Sequence, residues 1–500
     1  MNKPKQFLWG ASVAGHQVDG NDTTSDTNFL EHVSPSVFKE PAGKACMSWE
    51  RWSDDLDCVR DMGLNSYRFS IEWCRIEPER GTIDQSALEH YDRMIDGCLE
   101  RGITPAITLC HFTAPHWFAK EGSWMNPNAA DWFADEAARV MELVGDRAAL
   151  VVTFNEPNLS QLLAHGGLPP EAMEFQRACL AAASAKAGVA HYRAGNVQSP
   201  DDFDAMDAGL AKAHRLAVQA VRAANPHVPV GMSLSVTDDT YVTSRGKELV
   251  QAKRDACYGK WVDVVQGDDF IGVQNYERIT YGDDGVVPPR PDQKVNGMGT
   301  PVEPSSLAAS VLYTHELTGL PIVITEHGIS TDDDDLRCDF IRRSIPPVIE
   351  LVKRGIPILG YYHWTLIDNF EWISAFDGWA CTKWTGPMAP MTASPSQARR
   401  SMPIWCVVWE GSCDHDRRRE RTHAPAPYLR QWTVFRVSGR NAIPLDCGYR
   451  LDAATTHQSR RCRLPDAQTQ GTGIHHAPNR RIGSGTRRRD ALSCRRAGAC

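Results

Sequence analysis

Five hundred residues with 42% hydrophobic content are enough for one large core or several small ones. The net charge of −8 hides a division: residues 1–381 carry 33 Lys+Arg against 54 Asp+Glu (−21), and residues 382–500 carry 21 against 8 (+13). The acidic body disfavours a nucleic-acid partner, and fifteen cysteines without CxxC or Cys/His spacing argue against a disulfide framework or a zinc centre. No apolar run of ~20 residues and no leader-like apolar segment occurs, so the reading is cytoplasmic, without a membrane span.

In chain order, Phe7 to Ser12 reads as a first strand, followed by HQVDG, His16 to Gly20, and then by a loop rich in Asp, Thr and Ser. Trp49 to Met62 has helical spacing (Trp52, Leu56, Val59, Met62) and stops at Gly63, a C-terminal cap. Asn65 to Ser70 is the second strand and delivers Arg68. Leu88 to Leu99 is an amphipathic helix, and Thr104 to Phe112 is a strand ending near His111. Trp132 to Val144 is the next helix, and Val151 to Pro157 (VVTFNEP) the fourth strand, which Pro157 must end. An Ala-rich helical excursion from Leu159 to about Pro200 exceeds an ordinary connection and is expected on the rim of a pocket. Ala205 to Ala224 is a helix, and Val228 to Val236 and Asp269 to Tyr276 are strands five and six. Leu307 to Thr318 is a helix, Pro321 to Gly328 (PIVITEHG) holds strand seven, and Phe340 to Lys353 is a helix. Ile358 to Trp372 carries strand eight and its exit loop. Eight alternations predict an α/β fold, a closed (β/α)8 TIM barrel, in which the eighth helix is not found.

Two of these strands place a glutamate at the C-terminal end, Glu156 and Glu326. That end of a parallel barrel builds the active-site concavity. A pair of carboxyls there suits glycoside hydrolysis, in which one donates a proton and the other serves as nucleophile or as base for water.

Beyond about Trp379 the composition changes. There is no lysine from Trp384 to Cys500, arginines cluster at 417–419 and 487–489, and seven of the fifteen cysteines lie from Cys381 onward. The sequence predicts a barrel domain over 1–378 and an Arg/Cys-rich, lysine-poor tail over 379–500. Codons read out of frame explain the tail better than a selected basic, disordered arm, which would contain lysine and little cysteine. On that account the tail is not natively folded and the closing helix is lost.

Across residues 5–378 the motifs resemble glycoside hydrolase family 1, the β-glucosidase and β-galactosidase family. TFNEP resembles its acid/base signature, which implies Glu156 as general acid/base and Asn155 as a partner of the sugar 2-hydroxyl. ITEHG is similar to its nucleophile signature ITENG, which implies Glu326 as nucleophile, with His327 a departure. FLWGASVAGHQVDG implies Gln17 as a ligand of glycone hydroxyls, and TLCHF implies His111 as another, with Phe112 standing where tryptophan is usual. YRFSIEWCRIEP implies Arg68 beside the nucleophile, and QNY implies Tyr276 hydrogen-bonded to it. HWTLIDNFEW implies Trp364 as a platform under the sugar, with Glu371 and Trp372 at its 4- and 6-hydroxyls. Glu371 would repel a 6-phosphate.

The resemblance implies a retaining β-glycosidase acting by double displacement on terminal β-linked glucose- or galactose-type residues of small glycosides. It needs no metal and no organic cofactor. Arg68 and Tyr276 would keep Glu326 ionised, and the neighbouring carboxylate would raise Glu156. The long excursion after Pro157 favours a closed pocket over an open polysaccharide cleft. The tail sustains an alternative: a catalytically impaired product of a disrupted gene, or a sugar-binding protein without turnover. The sequence leaves the preferred sugar, the aglycone and the oligomeric state open.

Overall fold

The computed structural model describes residues 4, 6–166, 168–374, 405–409 and 432–436. All belong to the first of two units of the chain, Met1–Ala442; the second, Ile443–Cys500, contains none of them. Eight parallel strands are β1 (Leu8–Ser12), β2 (Ser66–Ser70), β3 (Thr104–Cys110), β4 (Leu150–Asn155), β5 (Val230–Ser235), β6 (Phe270–Asn275), β7 (Ile322–His327) and β8 (Ile358–Trp364). They close into a barrel in the order β1-β8-β7-β6-β5-β4-β3-β2. The expected (β/α)8 TIM barrel is therefore the fold.

Seven of the described helices alternate with these strands: α1 (Ser48–Asp61), α2 (Gln85–Glu100), α3 (Ala129–Val144), α4 (Phe203–Ala224), α5 (Ser244–Cys257), α6 (Ser306–Thr318) and α7 (Asp334–Lys353). Helix α2 shows why they form. Asp84 caps it by accepting from the Ser86 and Ala87 amides. Its buried stripe Ala87, Tyr91, Met94, Ile95 and Cys98 recurs at helical spacing. It stops before Gly102, whose φ of 70° favours glycine.

Helix α5 was not anticipated. With Ser244–Cys257 comes a small rim sheet of Asp238–Tyr241, Arg278–Gly282 and Gly285–Val286. The buried positions of α5 are Gly246, Val250, Lys253 and Cys257, so a glycine and a lysine interrupt its apolar stripe. Lys253 is tolerated there because its Nζ lies 2.6 Å from Asp239 Oδ1.

The barrel interior has an apolar floor of Leu8, Ala106, Leu150, Val152, Phe270, Val323 and Tyr362. Strict alternation along β4 would point Phe154 inward and Asn155 outward. Instead the β4–β5 register shifts between Val152 and Asn155. Thr153 turns out to meet His214 of α4, with Oγ1 2.8 Å from Nδ1, and Phe154 turns out against Trp124 and Phe133. Asn155 is thereby aimed inward. A second shift, between Ile324 and Glu326 where β7 pairs with β6, does the same for Glu326. Such bulges re-aim side chains at the rims of barrels.

The predicted non-native tail, 379–500, and the missing eighth helix lie outside the described residues. The exception is two short strands, Trp405–Trp409 and Trp432–Arg436, which pair antiparallel. Among the described residues no helix is long and apolar enough to cross a membrane.

Candidate active site

Arg68 is the hub of the barrel mouth. Its side chain is wholly buried, a position a guanidinium tolerates only when its donors are used. Nε donates to Thr108 Oγ1 (3.0 Å), one terminal nitrogen to Glu326 Oε1 (2.7 Å) and the Thr325 carbonyl (3.3 Å), and the other to Asn155 Oδ1 (2.6 Å). Gln274 runs parallel to it, its Nε2 donating to Asn155 Oδ1 at 2.6 Å and to Glu326 Oε1 at 2.8 Å. Those two oxygens, accepting from one nitrogen, are at most 5.4 Å apart. The arrangement also fixes the Asn155 amide, since Oδ1 faces the two donors and Nδ2 is left as a donor.

Glu326 receives a third partner from the Tyr276 hydroxyl, 2.5 Å from Oε2. Glu156 is placed differently. It follows β4 at a φ of 44°, unusual for a residue with a Cβ, and its amide donates to the Ser233 carbonyl at 2.8 Å. Its carboxyl accepts a hydrogen bond from Ser235.

These surroundings set the two carboxyls apart. Glu156 is raised to about 8, first by burial and then by the charge of Glu326, with Ser235 and Arg68 pulling back. Glu326 is also raised by burial, while Arg68 and the Tyr276 hydrogen bond draw it down. It therefore ionises first, and the shared proton rests on Glu156. Arg68 and Tyr276 thus favour the ionised form of Glu326, as expected, against a burial that leaves its carboxyl above the usual glutamate value.

The remaining predicted residues come to the same mouth. Gln17 is fully buried, its Nε2 donating to Asn369 Oδ1 (3.1 Å) and to the Phe370 carbonyl (2.8 Å). With both amide hydrogens used, only Oε1 is left to meet a ligand. That oxygen and His111 Nδ1 are buried without a hydrogen-bond partner among the described residues. Each such atom costs ~1–3 kcal/mol, which a sugar hydroxyl could offset. His111, held neutral by burial and by Arg68, stacks on Trp364 with ring centroids 5.8 Å apart. Trp364 Nε1 donates to Glu371 Oε1 at 3.3 Å. Trp372 lies nearly parallel to His111, centroids 6.3 Å apart.

His327 points away from this mouth. It is buried, stacks on Phe340 of α7 at 5.0 Å, and places Nδ1 2.9 Å from the Tyr361 hydroxyl. Trp124 is core, edge-on to Phe118, Phe133 and Phe154. Beside Glu156 a cavity is bordered by Phe112, Leu163, Asn196 and Gln198, so the excursion after Pro157 does contribute to the rim.

Sequence reasoning missed Gln274, Ser235 and Thr108. Gln274 precedes Tyr276 by two residues and shares its face, a signal available in the QNY run. Ser235 and Thr108 carried none. The eight cysteines between 46 and 338 are free thiols.

The sequence matches the family described as glycosyl hydrolase family 1 over residues 2–268 and 289–379. Beta-glucosidase A of Thermotoga maritima is 27% identical over 406 residues, covering 75% of this chain and 91% of that protein. A bifunctional beta-D-glucosidase/beta-D-fucosidase of Bifidobacterium breve is 27% identical over 441 residues, covering 74% and 90%. The crystal structure of beta-glycosidase BGL167 superposes with a TM-score of 0.73 at 36% identity, covering 76% of this chain and 92% of that one.

Proposed function

The chain belongs to glycosyl hydrolase family 1, and from that premise we propose that it is a retaining β-glycosidase releasing terminal β-linked glucose- or galactose-type residues from small glycosides. The observation that carries the reading is the asymmetry of the carboxyl pair. Glu326 is bonded to a buried cation, whereas Glu156, raised to about 8, holds a proton at neutral pH. Glu326 acts electrostatically on Glu156, which supports two neighbouring carboxyls of the kind retaining enzymes use, ~5–5.5 Å apart.

In the first step the Glu326 carboxylate attacks the anomeric carbon while Glu156 passes its proton to the departing oxygen. A glycosyl ester on Glu326 results, and the aglycone leaves as an alcohol. Esterification removes the charge that raised Glu156, so its carboxylate can then take a proton from water. That water attacks the anomeric carbon, and the Glu326 carboxylate is released with a β-configured sugar.

Asn155 Nδ2 suits the 2-hydroxyl, and Gln17 Oε1 and His111 suit neighbouring glycone hydroxyls. Trp364 offers a face to the apolar side of the ring, and Glu371 with Trp372 meets the 4- and 6-hydroxyls. The cavity beside Glu156 leads to the aglycone side. Free thiols throughout the barrel support a reducing, cytoplasmic setting.

The test is hydrolysis of 4-nitrophenyl β-glucoside and β-galactoside by the full chain, with the first-formed anomer read by NMR. We expect the β-anomer first; an α-anomer would exclude the retaining assignment. A folded protein that binds sugar without turnover would instead support the disrupted-gene reading. The change in composition near residue 379, where the family match ends, favours that reading. The same coincidence supports confining the hydrolase to residues 1–378, with 379–500 outside it. Exchanging 379–500 for the C-terminal segment of a family relative should then raise activity and solubility. Unchanged activity after the exchange would count against the disrupted-gene reading.

A further inference from the structure

The helical turn Gly15–Val18 grips the segment after β8 in two ways. Gln17 does so through the backbone: its side chain donates to the Phe370 carbonyl, and its own carbonyl accepts from the Phe370 amide at 3.2 Å. His16 does so through rings. It lies edge-on to Phe370 at 5.9 Å and flat on the Trp372 indole, centroids 5.4 Å apart and planes 11° apart.

His16 is itself held from both sides. Nδ1 is 3.0 Å from Asp22 Oδ2 and Nε2 is 2.9 Å from Glu31 Oε1, with 1% of the side chain exposed. Carboxylates only accept, so both ring nitrogens carry protons and the ring is a cation. Burial alone would lower its pKa, yet the two carboxylates lift it to about 10. Asp22 is further tied to Cys74 Sγ (3.2 Å), and Arg75 bears on it electrostatically.

Trp372 needs such a clamp. Its φ of 52° is strained for a residue with a Cβ, and such backbone persists only where the surroundings over-determine it. A cation lying flat on an indole is attractive, and here it is fixed to the barrel by two buried anions. The neutral His111 ring and the edge of Phe112, at 5.3 Å, complete the surroundings of the indole.

We propose that His16, gripped by Asp22 and Glu31, is a positioning residue that holds the Trp372 indole in place and so sets discrimination at the 4- and 6-hydroxyl end of the glycone. The proposal rests on the reading of Trp372 as a glycone contact. It predicts that loosening His16 harms recognition of the 6-hydroxyl while leaving the remainder of the site largely intact.

The probes are 1-deoxynojirimycin and its 6-deoxy analogue, bound to the full chain and followed by titration calorimetry. This readout does not depend on turnover. In wild type the parent should bind more tightly. In His16→Gln the ratio of the two affinities should fall by about 10-fold, with the 6-deoxy analogue changed less than about 3-fold. Glu31→Gln keeps the ring and shape and loosens one side of the clamp; it should move the ratio in the same direction, and it covers the case in which His16→Gln fails to fold. Trp372→Ala should give the same fall, and adding His16→Gln to it should add nothing. Equal weakening of both probes, additive losses, or a wild type that does not distinguish the probes would overturn the proposal. Absent hydrolysis with an intact affinity ratio would defeat the activity reading alone.

Discussion

Replacing Glu326 by glutamine is expected to lower kcat/KM by roughly 10⁴-fold or more. The amide has nearly the shape of the carboxylate; its one oxygen can still accept from Arg68 and Gln274, and its NH2 can donate to the Tyr276 oxygen, so the barrel mouth largely keeps its geometry. It cannot form the glycosyl ester. It also leaves Arg68, wholly buried, facing a neutral group. An uncompensated buried charge costs ~3–5 kcal/mol, so the melting temperature should fall as well. Glu326→Asp separates the two effects. It keeps the anion for Arg68 but withdraws it by about one methylene, a displacement of the order that can cost ~10²-fold in rate. Stability should return in this variant while activity does not. Near-wild-type turnover in Glu326→Gln would remove Glu326 from the chemistry.

The effect of Glu156→Ala should depend on the leaving group. For alkyl β-glycosides, whose departing oxygen needs a proton, kcat/KM should fall by ~10²–10⁴-fold. For 2,4-dinitrophenyl β-glucoside, which leaves without one, kcat/KM should change little while kcat falls, because water then attacks the ester without a base. Azide needs no base and should restore kcat, giving the β-glycosyl azide. The pH profile carries the same assignment. In wild type kcat/KM should fall above about pH 8 as Glu156 loses its proton, and that limb should vanish in the variant. An equal loss on both substrates, or an alkaline limb that survives, would place the acid elsewhere.

Much of this was legible in the sequence because it is local. The β-branched run before Asn155, the proline that stops it and the matching run before Glu326 identify two strands and their ends. Motif order then brings Gln17, Arg68, His111, Tyr276, Trp364, Glu371 and Trp372 to one mouth. What was hidden belongs to pairs of segments. The two bulges are registers between strands, between β4 and β5 and between β7 and β6, and no single strand announces them. Strict alternation would have turned Asn155 away from the hub it joins. The His16, Asp22 and Glu31 cluster closes only when the chain after β1 folds back. Helix α5 escaped because a buried lysine stands in its apolar stripe, a substitution made acceptable by Asp239 on another element.

A covalent bond between Glu326 and the sugar can be trapped by incubating the full chain with 2,4-dinitrophenyl 2-deoxy-2-fluoro-β-glucoside and reading the protein by mass spectrometry. The fluorine slows both steps, and the activated leaving group lets the first outrun the second, so the ester accumulates. One fluoroglucosyl group per chain should appear, carried on the peptide containing Glu326 and absent from Glu326→Gln. A label on another residue, or no label on a chain that hydrolyses the unfluorinated substrate, would rule out Glu326 as the nucleophile.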